Sequence, residues 1–316
     1  LQNIKGDKAI WAIAALLALF SFLPVYSASS NLVYVVGNGT TAGHLVKHAI
    51  LLFLGFGIIY GIHKIPTHFF KGLSMIALPI VLVLLIFVLA QGTSSGGTND
   101  SRWIRIPLVG FGFQPSNLAA VVLMIYVARY FSKVREIKIT FKESILPLWI
   151  PVFLVVALIL PANFSTAAIV FSMVMILCFL GGYPMKYLLG IVGTGVLCLT
   201  IFILTAKAFP DLFPNRVDTW MSRIDSFSNP EDTEANYQIE RAKIAIATGG
   251  IVGKGAGKSV QKNFLPQSSS DFIYAIIVEE YGLIGGFGLM FFYLFLLFRI
   301  VVVANGATTI FSKLLV

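Results

Sequence analysis

Long apolar runs separated by short polar segments make up most of the chain. A helix needs roughly 20 apolar residues to cross a membrane, and eight runs come close to that length or exceed it. They occupy residues 9–28, 45–62, 73–91, 115–131, 145–160, 165–182, 187–206 and 272–303. The pattern predicts an all-α fold, a polytopic transmembrane helical bundle.

Two of the predicted spans contain residues that interrupt helices. The run 145–160 is short and carries Pro147 and Pro151 near its start. We expect it to be tilted or broken there, because proline has no N–H to donate to the preceding turn. The run 272–303 is longer than a bilayer requires. We expect it to protrude from the membrane or to break near Gly285 and Gly286.

Composition excludes a water-soluble globular protein. The 316 residues are 57% hydrophobic and 12% charged, which is about half the charged fraction of a soluble domain. The net charge of +9 does not indicate nucleic-acid binding, since basic and aromatic residues do not alternate on one face. Cys178 and Cys198 lie inside apolar runs and are expected to be unreactive thiols.

The distribution of basic residues predicts the orientation. With a cytoplasmic N-terminus, most Lys and Arg of the short loops lie inside, as membrane proteins prefer. These residues are Lys5, Lys8, Lys64, Lys71, Lys133, Arg135, Lys138, Lys142 and Lys186. The orientation divides the chain into a seven-span N-terminal bundle (1–206), a large extracytoplasmic loop (207–270) and an eighth span with the start of a C-terminal part (271–316).

The large loop contains two segments with recognisable local patterns. Residues 237–248 have helical spacing of apolar positions and are followed by Gly249 and Gly250, so an amphipathic helix is expected there. The run GGIVGKGAGKS that follows lacks the glycine spacing of a nucleotide-binding P-loop. It is either a turn that needs glycine, or a backbone cradle in which Lys254, Lys258 and Lys262 help to hold a pyrophosphate.

Three carboxylates at the start of the last span are candidates for chemistry. Asp271 lies where the loop meets the span, as the N-cap of the helix, as a general base, or as both. Glu279 and Glu280 lie deeper and on opposite sides of the helix; a structural ion pair or protonated acid is as compatible with them as a direct role. The four histidines are not spaced as a metal site.

Several motifs, in order along the chain, resemble those of one family. They are SRWI (101–104) with QPS (114–116), Arg216 and Arg223, NPED (229–232), Tyr237–Gln238, GGIVGKGAGKSVQKNFLP and DFIYAIIVEEYGLIGG. Together they resemble the SEDS family (shape, elongation, division and sporulation), the membrane glycosyltransferases of the bacterial cell wall. SVQK followed by LP is more similar to the division-specific (FtsW) members than to the elongation-specific (RodA) members.

The resemblance implies an enzyme that polymerises lipid II into peptidoglycan glycan strands at the outer face of the bacterial cytoplasmic membrane during cell division. It implies that Asp271 is the catalytic base on the acceptor 4-hydroxyl and that undecaprenyl pyrophosphate is the leaving group. The implied substrate-binding residues are Arg102, Trp103, Gln114, Arg216, Arg223, Tyr237, Gln238, Lys258, Ser259, Gln261, Lys262 and Glu279.

The resemblance also bears on cofactors, partners and length. No metal site in the protein is expected, and a divalent cation, Mg²⁺ or Mn²⁺, at the pyrophosphate is left open. The implied partners are a class B penicillin-binding transpeptidase and other division proteins. The family has about ten spans, so the chain is expected to be truncated after its eighth. Ser269 and Ser270 replace the family's His-Thr before the aspartate, and Gln267 replaces an acid.

Two other functions remain open from the sequence. The multi-span architecture with Glu279 and Glu280 at membrane depth also fits a transporter that moves lipid II across the membrane. A chain that lacks part of the family's length also fits a non-catalytic scaffold for division proteins.

Overall fold

The computed structural model describes residues 6–34, 39–91, 103–106, 111–134, 139–208, 234–265, 268 and 270–316. The long helices are α1 (Lys8–Tyr34), α2 (Thr41–Ile62), α3 (His68–Gln91), α4 (Pro115–Val134), α7 (Phe164–Leu180), α8 (Met185–Ala208), α9 (Glu234–Gly249) and α10 (Ile273–Gly306). Short helices α5 (Phe141–Ser144), α6 (Ile150–Ile159) and α11 (Ile310–Leu315) complete the helical set of these residues. Strands β1 (Ile104–Ile106) and β2 (Phe111–Phe113) form an antiparallel pair in which Ile104 lies opposite Phe113.

The helices confirm the predicted all-α membrane bundle. Each predicted span coincides with a helix of the described residues, and seven spans are long and apolar enough to cross a membrane. The eighth, α7, has 17 residues. The helix predicted at 237–248 is also confirmed, as α9. The protein is therefore an integral membrane protein.

The fifth span is broken where its prolines predict. A single π-helical turn (Ile145–Trp149) joins α5 to α6. Pro151 has no N–H for the carbonyl of Pro147, and the Tyr126 hydroxyl donates to that carbonyl instead, at 2.7 Å. Tyr126 thus gives this carbonyl a donor in place of the one that proline lacks, inside an apolar environment.

The chain folds into two compact units. The first comprises Leu1–Lys64 and Thr205–Val302, and the second Ile65–Leu204 and Val303–Val316. The core of the second unit is formed where α3, α4, α6 and α7 pack together, with Leu123, Val127 and Val152 fully buried. The two units are defined by which residues pack together. The three segments predicted from the sequence are defined instead by the order in which the chain crosses the membrane.

The last span, predicted to protrude or to break near Gly285 and Gly286, is broken at Gly282, within one helical turn of those glycines. Gly282 has φ 66° and ψ −170°, a conformation that is strained for any residue with a side chain. The residues on the N-terminal side of this break, 275–280, are all buried. The last two of them, Glu279 and Glu280, bind the loop of the candidate site.

Candidate functional site

The glycine-rich loop after α9 is hydrogen-bonded along its backbone to α10 at the Gly282 break. The N–H groups of Lys254 and Gly255 donate to the carbonyls of Glu279 and Glu280, both at 2.9 Å. The N–H of Leu283 donates back to the carbonyl of Gly250, at 2.9 Å. The loop therefore lies directly against the kinked helix.

Glycine is required on both sides of this contact. A Cβ on Gly249 would overlap the backbone of Val278, and a Cβ on Gly253 would overlap the backbone of Glu280. A Cβ on Gly282 would in turn overlap the carbonyl oxygen of Ile251. The glycines of GGIVGKG thus allow two backbones to meet closely, which is a common use of glycine.

The carboxylate of Glu279 organises the lysine-bearing part of the loop. Its side chain is fully buried and accepts hydrogen bonds from Lys254 Nζ at 2.6 Å, the N–H of Val260 at 3.1 Å and the N–H of Gln261 at 3.2 Å. The Ser259 hydroxyl is a fourth donor. A buried carboxylate needs such a set of partners to offset the loss of water.

Glu280 connects the same loop to α1. It accepts hydrogen bonds from the Ser27 hydroxyl and from the N–H of Ser259, the latter at 3.3 Å. Lys262 Nζ donates to Ser27 Oγ at 3.2 Å and to the carbonyl of Gly257 at 2.8 Å. Although adjacent glutamates were expected on opposite sides of the helix, both carboxylates reach this loop.

These contacts define what the predicted loop residues do. Ser259, Gln261, Lys262 and Glu279 are brought together, and each is at most 8% exposed. Their described contacts hold the loop in shape, so their N–H and ammonium groups do not form an open cradle for a pyrophosphate. Lys258 differs, because its side chain is exposed.

Asp271 is exposed and lies in a turn that precedes α10. The turn is closed by the N–H of Ile273, which donates to the carbonyl of Ser270 at 3.4 Å. Because α10 begins at Ile273, the residue directly before the helix is Phe272. The exposed carboxylate of Asp271 remains accessible to a substrate.

The start of α9 presents an aromatic and basic cluster of which the sequence singled out only Tyr237. The guanidinium of Arg241 lies 4.8 Å from the ring centroid of Tyr237 and 4.8 Å from that of Phe264. Tyr237 is 42% exposed, and Gln238 is half-buried. The spacing of Tyr237 and Arg241, four residues apart on a helix, was the available signal.

The remaining predicted site residues belong to the second unit or lie outside the described residues. Trp103 is 44% exposed, and its ring covers Gly112. Gln114 is half-buried just before α4. Arg102, Arg216, Arg223 and the segment NPED lie outside the described residues.

The described residues contain no group of three or more His, Cys, Asp or Glu side chains that could hold a metal ion. Magnesium often binds through one or two carboxylates together with substrate phosphates. A cation at this site would therefore depend largely on the oxygens of the substrate.

Comparison with known proteins identifies the family. The family model for FtsW, RodA and SpoVE, described as cell cycle protein, matches residues 7–316. The chain belongs to this family. FtsW/RodA/SpoVE membership agrees with the resemblance deduced from the loop and from DFIYAIIVEEYG.

Two named relatives are similar over most of this chain. A probable peptidoglycan glycosyltransferase FtsW from Geobacter sp. (strain M18) is 30% identical over 326 residues, which cover 100% of this chain and 83% of the relative. A protein of the same name from Marinomonas mediterranea is 30% identical over 311 residues, which cover 96% of this chain and 73% of the relative.

Two solved structures share the fold of this FtsW/RodA/SpoVE member. One is a chain of a peptidoglycan synthase complex, with a TM-score of 0.70 and 21% identity, covering 99% of this chain and 82% of that chain. The other is the rod shape determining protein RodA of Thermus thermophilus, with a TM-score of 0.64 and 20% identity, covering 100% of this chain and 80% of that chain.

Proposed function

We propose that the protein is a peptidoglycan glycosyltransferase that polymerises lipid II during cell division. The observation that carries this proposal is the accessible Asp271 at the end of a loop anchored on buried glutamates, in a chain similar throughout to proteins named probable peptidoglycan glycosyltransferase FtsW. The anchored loop restricts the positions that its residues can take. A catalytic base needs such positioning to lie within reach of the proton that it accepts.

Asp271 acts in this proposal as the general base. Its carboxylate accepts the proton of the acceptor sugar's 4-hydroxyl while that oxygen attacks the anomeric carbon of the donor. The bond from this carbon to the pyrophosphate oxygen breaks, and undecaprenyl pyrophosphate leaves with the electron pair. A single displacement of this kind inverts the configuration of the anomeric carbon.

The departing pyrophosphate requires positive charge nearby. Lys258 is the exposed candidate on the described part of the loop, and Arg102, Arg216 and Arg223 are further candidates from the sequence. Ser259, Gln261, Lys262 and Glu279 contribute indirectly in this proposal, because they fix the loop that carries Lys258.

The proposal includes the setting of the reaction. The protein would lie in the bacterial cytoplasmic membrane with residues 207–270 on the outer side, where a lipid-linked sugar meets water. Its partner would be a class B penicillin-binding transpeptidase, together with other division proteins. One structural relative belongs to a peptidoglycan synthase complex, described as coordinating polymerization and crosslinking, and this supports a crosslinking partner.

The test is polymerisation of lipid II by the purified protein, alone and with its transpeptidase. Asp271→Ala and Asp271→Asn should lower glycan synthesis by about 10²- to 10⁴-fold, the usual contribution of a general base. Glu240→Ala is the matched control, because Glu240 is an exposed acid of α9. Equal activity of the wild type and both Asp271 variants would reject the assignment.

The transporter hypothesis loses its motivating observation. Glu279 and Glu280 are bound to the loop and to Ser27, so they do not line an open path among the described residues. A vesicle assay with labelled lipid II separates the functions, since a transporter moves the lipid without consuming it. A scaffold would recruit partners and support synthesis equally well with Asp271→Ala.

A further inference from the structure

Arg241 lies against two aromatic rings at the surface of the first unit. Its guanidinium lies 4.8 Å from the ring centroids of both Tyr237 and Phe264. Contact with the ring faces attracts the guanidinium without using its N–H groups as hydrogen-bond donors. The two rings therefore restrain the position of the guanidinium and leave its N–H groups available to a ligand.

No carboxylate among the described residues pairs with Arg241. The positions one helical turn away on α9 are Tyr237, Gln238, Ile244 and Ala245, so the helix offers no acid at the spacing of an ion pair. The described ion pairs join Lys254 to Glu279 and Arg299 to Asp7. Among the described residues, Arg241 thus has no acidic partner for its positive charge.

The second ring of the stack is positioned by the buried glutamate network. Phe264 directly follows the 3-10 turn Gln261–Asn263, and its N–H donates to the carbonyl of Gln261 at 3.0 Å. The N–H of Gln261 is itself bound by Glu279, at 3.2 Å, and Leu265 is fully buried. The stack therefore belongs to the part of the loop that Glu279 anchors.

We propose that Arg241 binds the diphosphate of the lipid-linked substrate, with Tyr237 and Phe264 holding the guanidinium in its binding orientation. The inference rests on the proposed function. A preoriented guanidinium donates two parallel hydrogen bonds to phosphate oxygens, which a lysine cannot do. The exposed face of Tyr237 lies beside this position and suits contact with a sugar ring or lipid chain.

The experiment measures lipid II polymerisation kinetics and, separately, binding of undecaprenyl pyrophosphate in detergent micelles. Arg241→Ala should raise KM for lipid II and weaken undecaprenyl pyrophosphate binding, each by about 10- to 100-fold, the effect of losing charge-assisted hydrogen bonds. Arg241→Lys should recover only part of this loss, because it restores the charge but not the planar donor pair.

Lys243→Ala is the matched control. Lys243 is an exposed cation two positions along α9, and residues two apart on a helix do not face each other. Its removal should leave KM and undecaprenyl pyrophosphate binding within about twofold, the scale of a screened surface charge. An equal effect of both variants would mean that general surface charge attracts the substrate, and would overturn the site.

Three further outcomes decide the proposal. Lower thermal stability of Arg241→Ala with unchanged KM and binding would reduce the stack to a structural contact. An Arg241 effect seen only in vesicles with anionic phospholipid, and absent in zwitterionic vesicles, would assign the site to phospholipid phosphate. Arg241-dependent binding of undecaprenyl pyrophosphate without glycan synthesis by the wild type would support the site and reject the proposed function.

Discussion

The ammonium nitrogen of Lys254 lies 2.6 Å from a carboxylate oxygen of Glu279, whose side chain is fully buried. The same carboxylate binds the N–H groups of Val260 and Gln261. One glutamate therefore satisfies a lysine and two backbone donors of a loop distant in sequence. Removing it would leave the two backbone donors without this acceptor, whereas Lys254 would keep its hydrogen bond to the Thr248 hydroxyl at 2.9 Å.

Replacement of Glu279 by Gln should destabilise the protein by about 1–3 kcal/mol, because the donors around this buried carboxylate lose a charged acceptor. Glutamine has nearly the same shape but only one acceptor oxygen, so the loop also loses backbone hydrogen bonds. Thermal unfolding in detergent measures the effect. Lys254→Met should restore part of the lost stability in the double variant. A single variant as stable as the wild type would contradict the anchoring role.

Gly282→Ala should also destabilise the protein strongly. The φ of 66° with ψ of −170° costs any other residue roughly 1–3 kcal/mol, and the added Cβ would overlap the Ile251 carbonyl. Gly288→Ala is the control, since a Cβ there meets nothing within 4 Å. Comparable melting temperatures for the two variants would show that the break tolerates a side chain.

The membrane helices could be predicted from the sequence because length and continuous hydrophobicity alone define a span. The break near Pro147 and Pro151 could also be predicted from the local sequence, because proline removes a backbone donor wherever it occurs. The position of the break at Gly282 could not be predicted in this way, because the same run also contains Gly285 and Gly286. Which of them bends depends on the loop that packs against α10.

The candidate site was only partly predictable for the same reason. Asp271 was identified as the candidate base from its motif and its position at a loop boundary. The use of the loop N–H groups was not predictable, because their acceptors on Glu279 lie 18 or more positions away in sequence. Arg241 was overlooked because the stack also requires Phe264, which only the folded loop brings near.

Asp7 should contribute stability that depends on pH. Its hydrogen bond to the Arg299 guanidinium is the main cause that lowers the pKa of this carboxyl, and the N–H groups of Ala9 and Ile10 add to the effect. A lowered pKa means that the contribution is complete above the ordinary value of about 3.9 and is lost as the pH falls below it.

Asp7→Asn should therefore unfold at a lower temperature than the wild type near pH 6, and the difference should shrink as the pH falls below about 3.9. High salt should reduce the difference at pH 6, because the pair is partly exposed to solvent. A difference between the two proteins that stays constant from pH 7 to pH 3 would show that the carboxylate charge is not involved.

Tyr126→Phe should destabilise the fifth span. The variant removes the hydroxyl that donates to the Pro147 carbonyl at 2.7 Å. Loss of the hydrogen bond to a buried carbonyl lowers the stability by roughly 1–3 kcal/mol. Tyr130→Phe is the control on the same helix, since the Tyr130 hydroxyl makes no hydrogen bond within the described residues.

Restoring a donor to the Pro147 carbonyl shows whether Tyr126→Phe destabilises the protein through the lost hydrogen bond or through lost packing. Pro151→Ala returns an N–H to the position four residues after Pro147, where a regular helix would donate to that carbonyl. The double variant Tyr126→Phe/Pro151→Ala should then unfold at a higher temperature than Tyr126→Phe alone. If Pro151→Ala stabilises the wild type and the Tyr126→Phe background equally, the two groups do not share the Pro147 carbonyl, and Tyr126 does not act by replacing the proline's lost donor.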